Sequence, residues 1–126
     1  MLIHLDTSVL VDSFTGGRRS LEAVRKATDR GDSITFSTIV LYEWLRGPRT
    51  GAETAAVEAF FAGDPPAAFG SREAERAAAL YRSVRGARQR AADLAIAACA
   101  IQHGASLWTL NLGDFDDVPG LALHRP

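Results

Sequence analysis

Leu2-Ile3-His4-Leu5 is a short apolar run cut off by Asp6-Thr7-Ser8. The pattern predicts a buried strand running straight into a helix, with Asp, Thr and Ser as capping candidates in its first turn. Leu21, Val24, Ala27 and Thr28 then recur at three- and four-residue spacing before Gly31-Asp32, predicting an amphipathic helix over residues 19–30 with a glycine stop. Ser33–Phe36 has strand character. Ser37 or Thr38 caps a helix that carries Ile39, Val40, Glu43 and Trp44 and stops at Gly47-Pro48; another helix is expected over 52–62. Gly63-Asp64-Pro65-Pro66 is the sharpest break, but the segments flanking it are too small to be separate domains, so it reads as an internal loop. A short strand at 67–69 follows, then helices over 71–84 and 90–103 closed by Gly86 and Gly104. A strand at 107–110, a loop over 111–119 and a last strand at 121–123 complete the chain. Strands alternating with one or two helices favour right-handed crossovers and a parallel, helix-covered sheet.

The chain has 126 residues, enough for a single domain over 1–126. With 47% hydrophobic and 23% charged residues, the composition is that of a folded globular protein. A net charge of −1 means that a polyanionic partner has to be held by a local basic patch. Cys99 is the one cysteine; it can form neither an internal disulfide nor a cysteine-type zinc site, and it suits a reducing compartment. Leu94–Gly113 lacks charged residues, but Gln102, His103, Gly104, Ser106, Thr109 and Asn111 interrupt it, so no membrane span is expected. With no basic leader before Asp6, the expected location is cytoplasmic.

Three acids stand where the pattern predicts burial. Asp6 ends the first strand, at the carboxyl edge where ligand sites of open α/β sheets collect. Glu43 shares a helix face with Ile39 and Val40, and Asp93 heads the stripe of Ile96, Ala97, Ala100 and Ile101. Each has a structural alternative: a helix cap for Asp6, a dipole-favoured first-turn acid for Asp93, an ion pair with Arg46 for Glu43. Together they argue for a shared cation, because converging buried carboxylates repel one another unless a positive charge sits among them. Asp114, directly after the 107–110 strand, is the chosen fourth acid, with Asp116 and Asp117 as solvated loop acids. Oxygen ligands without cysteine and with few histidines select Mg2+, or Mn2+ as its substitute. The scattered His4, His103 and His124 read as structural.

Asp6-Thr7-Ser8 after an N-terminal strand, Glu43 within a helix, Asp93-Leu94-Ala95-Ile96-Ala97-Ala98 and Thr109-Leu110-Asn111-Leu112-Gly113-Asp114-Phe115 resemble the ordered motifs of PIN-domain ribonucleases, more narrowly VapC toxins of toxin–antitoxin pairs. The resemblance covers nearly the whole chain. It implies a PIN-like three-layer α/β/α sandwich with a mainly parallel central sheet of four or five strands flanked by helices. It also implies a Mg2+-dependent endoribonuclease in which Asp6, Glu43, Asp93 and Asp114 form the acidic pocket, Asp6 and Asp93 foremost as metal ligands. Thr7 or Ser8, with Asn111, would orient ligands or water, and products would carry a 5′-phosphate and a 3′-hydroxyl. Implied partners are RNA, a second copy in a homodimer, and a cognate VapB-like antitoxin whose C-terminal segment binds the groove and directs an Arg at the acids. One departure is Leu110, where such toxins often carry a basic residue; the arginine-rich 86–92 stretch is another. Both bear on substrate preference.

An acidic pocket repels RNA, so cations around it must hold the strand. Arg82, Arg85, Arg88 and Arg90 lead up to Asp93, and Arg46 and Arg49 follow Glu43; these are the candidate phosphate clamps, against the alternative of a solvated arginine face. Trp44, Trp108 and Tyr81 fit core or interface positions better than base stacking. The competing reading is a catalytically silent PIN-like binding or dimerisation module whose acids act only as caps and ion pairs. No glycine-rich phosphate loop follows the first strand, and Ser8 stands where an aspartyl phosphatase would place its second Asp.

Overall fold

The computed structural model describes residues 1–126. Three strands and six helices run in the order β1 (Leu2–Leu5), α1 (Thr7–Phe14), α2 (Leu21–Asp29), β2 (Ser33–Thr35), α3 (Thr38–Arg46), α4 (Gly51–Phe60), α5 (Ser71–Ser83), α6 (Ala91–Gln102) and β3 (Ser106–Trp108). The sheet order is β2-β1-β3, parallel throughout, with Ile3 opposite Ile34 and Ser106, and Leu5 opposite Trp108. This is the expected α/β architecture, a helix-flanked parallel sheet, but with three strands rather than four or five.

The two missing strands survive as single bridges at the sheet edges. Ala67 donates to the Phe36 carbonyl at 2.8 Å and accepts from Thr38 N–H at 2.9 Å; on the other edge Leu107 and Leu123 form the second bridge. Neither extends into a strand. Pro65 and Pro66 supply no N–H before Ala67, and Pro119-Gly120 turns the chain just before 121–123.

β1 is the central strand and is buried on both faces. His4 faces α6, where its ring lies 5.6 Å from that of His103, so Ile3 and Leu5 point to the opposite face by strand alternation. That second face meets α1, whose Phe14 makes edge contacts with Phe60 and Phe61. The core is one continuous cluster of 25 buried apolar residues, so the break at 63–66 separates no domains. Trp44 and Trp108 belong to this core, as their spacing predicts, and Cys99 is buried and unpaired.

The helix starts follow local chemistry. Ser37 caps α3 by accepting from Val40 N–H, and Thr50 with Glu53 forms a reciprocal capping box on α4. Glu73 accepts from Gly70 N–H at the start of α5. No helix is long and apolar enough to cross a membrane.

Candidate active site

Asp6 sits one residue past β1, where the chain leaves the sheet for α1. Its N–H still donates to the Trp108 carbonyl at 2.8 Å, which holds the residue at the carboxyl edge beside β3. Although Asp6 occupies the N-cap position of α1, its side chain makes no capping bond. Instead Oδ2 accepts from Ser8 Oγ at 2.8 Å and Thr109 Oγ1 at 2.7 Å. The carboxylate is only 4% exposed, and these two hydroxyls leave Oδ1 without a protein partner. The structure therefore decides against the cap reading for Asp6.

Thr109 has a larger part than its place in the sequence motif suggested. It follows β3 by one residue and, by the parallel register, lies beside Asp6. The same hydroxyls also explain why β3 ends at Trp108 rather than at 110. Ser8 Oγ takes the Leu110 N–H at 3.1 Å and Thr109 Oγ1 takes the Asn111 N–H at 3.0 Å, so side chains replace the ladder acceptors. Asn111 takes part in this arrangement through its backbone N–H.

Glu43 arrives on α3. Its Oε1 accepts from Thr7 Oγ1 at 2.6 Å, while Oε2 lies 3.5 Å from the Arg46 guanidinium. The ion pair with Arg46 is the partner named from the sequence; the Thr7 hydroxyl that ties Glu43 to the end of β1 emerges only from the structure. Asp93 lies in the first turn of α6 and carries no hydrogen bond to its carboxylate. Burial raises its pKa to about 6, reinforced by the negative charges of Asp6, Asp114 and Glu43 and opposed by Arg90. The four acids thus lie within electrostatic reach of one another around Asp93, although they come from the end of β1, from α3, from α6 and from the Leu112–Asp114 turn.

Arg90 closes the edge of this pocket. Its guanidinium makes a bidentate pair with Asp117 at 2.6 and 2.9 Å and donates to the Asp114 carbonyl at 2.8 Å and the Arg85 carbonyl at 3.0 Å. Asp117, held low by that partner, serves Arg90 and is removed as an alternative fourth acid. Arg90, expected as a phosphate clamp, is thus engaged within the chain. Arg49 is likewise engaged within the chain: its guanidinium lies 4.4 Å over the Trp44 ring and donates to the Trp44 and Pro48 carbonyls. Arg46 is shared with Glu43 and Tyr42, while Arg85 and Arg88 are exposed and make no ion pair. The histidines stay outside the pocket: His4 is buried and held neutral at a pKa of about 4 by burial and then by His103, and His103 pairs with Glu73.

No three His, Cys, Asp or Glu side chains close into a ready chelate as they stand. The donor set nonetheless fits a hard divalent cation. It is all oxygen, it is negatively charged in excess of its cations, Asp6 Oδ1 and the Asp93 carboxylate have no protein partner, and Asp93 is driven toward protonation by burial and then by its acidic neighbours.

Sequence comparison matches residues 3–121 to the PIN domain, and the chain belongs to that family. No curated protein matches the sequence significantly. Among solved structures, the fold is similar to a chain of VapBC2 from Rickettsia felis bound to a DNA fragment from their promoter, with 22% identity, 98% of each chain covered and a TM-score of 0.78. It is also similar to a chain of DNA-bound VapBC from Salmonella typhimurium, with 23% identity, 98% of each chain covered and a TM-score of 0.77. FitAcB from Neisseria gonorrhoeae matches with 23% identity over 100% of this chain and 98% of that one, at a TM-score of 0.69.

Proposed function

We propose that this PIN-domain protein is a Mg2+-dependent endoribonuclease of the VapC toxin type, restrained by a cognate antitoxin. The observation that carries the reading is the convergence of Asp6, Glu43, Asp93 and Asp114 on one edge of the sheet, with Asp6 Oδ1 and the Asp93 carboxylate left without a protein partner. A fold with no use for a cation has no reason to gather four carboxylates at the carboxyl edge of its sheet until one of them resists ionisation.

Asp6, Asp93, Glu43 and Asp114 would hold the ion. A bound divalent cation would supply charge neutralisation and Lewis acidity toward water and the phosphodiester. The protein's own part is positioning. Ser8 and Thr109 fix one oxygen of Asp6 and so aim the other into the pocket. Thr7 fixes Glu43, and Arg46 sets the orientation of its second oxygen. Asp93 holds a proton below a pH of about 6 and gives it up above, so the pocket gains its full charge only near neutrality. The RNA backbone would meet Arg46, Arg85 and Arg88 at the rim. Hydrolysis would leave a 5′-phosphate and a 3′-hydroxyl.

Each similar structure named as VapBC contains a protein complex, which supports a VapB-like antitoxin here. A cavity of about 370 Å3 between α3 and α4, lined by Phe36, Leu41, Trp44, Leu45, Val57 and Phe61, offers apolar surface for such a segment. Tyr42 and Leu45, 61% and 55% exposed, are further apolar surface on α3 that a partner, including a second copy, could cover.

The test is cleavage of a labelled single-stranded RNA by the purified chain with Mg2+, with EDTA, and in the Asp6→Asn and Asp93→Asn variants. Metal-dependent cleavage that falls by at least roughly a hundredfold in both variants supports the reading. Unchanged activity in either refutes the site. If neither Mg2+ nor Mn2+ shifts the melting temperature, the silent binding module replaces it.

A further inference from the structure

A second concavity adjoins the acidic pocket along α1. Its volume is about 360 Å3, within the range of small-ligand sites of about 300–1,000 Å3. One end is lined by Thr7 and Ser8, the residues that hold Glu43 and Asp6; the other reaches the Thr15–Arg19 turn, and Arg19 is the only cation on its wall. Val11 and Leu110 give it two apolar patches. Leu110 is 53% exposed, and its side chain is not needed to hold the loop, since only its backbone N–H bonds to Ser8.

The turn at the far end is built firmly. Asp12 accepts from Ser20 Oγ at 2.7 Å and from Arg19 Nε at 3.2 Å, and Arg18 adopts a φ of 51°, a left-handed conformation uncommon outside glycine. Arg18 and Arg19 are both exposed at this turn. Arg18 has no ionic partner; the Arg19–Asp12 pair is surface-exposed on the arginine side, so Arg19 exchanges partners at little cost.

We infer that this concavity is a nucleotide subsite for the RNA strand: Val11 and Leu110 flank a base or ribose next to the scissile bond, and Arg18 and Arg19 hold the phosphate beyond it. The inference rests on the ribonuclease reading above and adds a location for substrate that the acids alone do not specify. A base sandwiched between apolar side chains and a phosphate on an arginine fork are the recurring elements of single-strand recognition. An acidic pocket requires such a cation outside its own field. With Arg49 and Arg90 committed elsewhere, the Arg18-Arg19 tip supplies it on the α1 side.

The experiment measures anisotropy of a short 5′-fluorescein-labelled single-stranded RNA of mixed sequence, with Ca2+ in place of Mg2+, across a salt series. An Arg18→Ala/Arg19→Ala variant should bind roughly tenfold more weakly, with a salt slope flatter by about 0.7 for one lost phosphate contact on a single strand. Leu110→Glu should weaken binding as well, while the Mn2+-induced thermal shift stays as in the wild type. If both variants match wild-type affinity and slope while the wild type binds and cleaves RNA, the subsite is wrong and the ribonuclease reading stands. If they bind RNA normally but lose a co-expressed antitoxin, the surface is a protein interface and the subsite is likewise wrong. A wild type that neither binds nor cleaves RNA overturns both.

Discussion

At the scale of single residues, the proposed function sets Asp93 against stability. Its carboxyl is raised from the usual 3.8 to about 6 in the folded chain, so the folded state binds the proton more tightly than the unfolded state does. The sign follows: its contribution favours the fold below pH ~4, declines as pH rises through the interval to ~6, and is fully unfavourable above that. Asp93→Asn should therefore abolish metal-dependent cleavage and raise the melting temperature at pH 7 by roughly 3–8 °C, for about 1–2 kcal/mol of relieved desolvation and repulsion. Activity and calorimetry on one preparation check both. A cation competes with the Asp93 proton, so Mn2+ affinity by titration calorimetry should weaken as pH falls below about 6. Thr109→Val removes a buried donor from Asp6 and should cost roughly 1.5–3 kcal/mol in urea melts, with reduced cleavage. Asp6, Glu43 and Asp93 stood out because each interrupts or ends an apolar pattern, and Asp114 because it follows the 107–110 strand. Thr109 was not, because a threonine at a strand end is unremarkable until the parallel register sets it beside Asp6.

At the scale of elements, β1 and the helices were readable to within about two residues because their limits are written in local chemistry: Asp6 after the apolar run, Ser37 and Thr50 as caps, glycines as stops. The edges of the sheet were not. Residues 67–69 and 121–123 have strand-like composition, but each follows a proline-containing break and keeps one bridge. The commitments of Arg49 and Arg90 were also invisible, since a guanidinium's partner depends on which loops come together in three dimensions. Arg90 ties the start of α6 to the turn that carries Asp114. Arg90→Ala should loosen that turn, speeding amide exchange at 112–117 by hydrogen-exchange mass spectrometry while exchange in β1 is unchanged. Arg90→Lys, lacking the planar fork, should restore it only in part.

At the scale of the whole molecule, a parallel sheet brings the ends of β1 and β3 to one edge, and helices entering from both sides add Glu43 and Asp93 to it. Chain segments as distant as Asp6 and Asp114 then share one electrostatic environment. The ordered motifs pointed to the PIN family because their order fixes this topology, and net charge carried no such information. The most direct measurement is anomalous diffraction from a crystal soaked in Mn2+. The account predicts a manganese peak among the carboxylates of Asp6, Glu43, Asp93 and Asp114, with Asp6 and Asp93 as direct ligands. A well-ordered pocket without manganese at saturating concentration, or manganese bound only elsewhere, would contradict it.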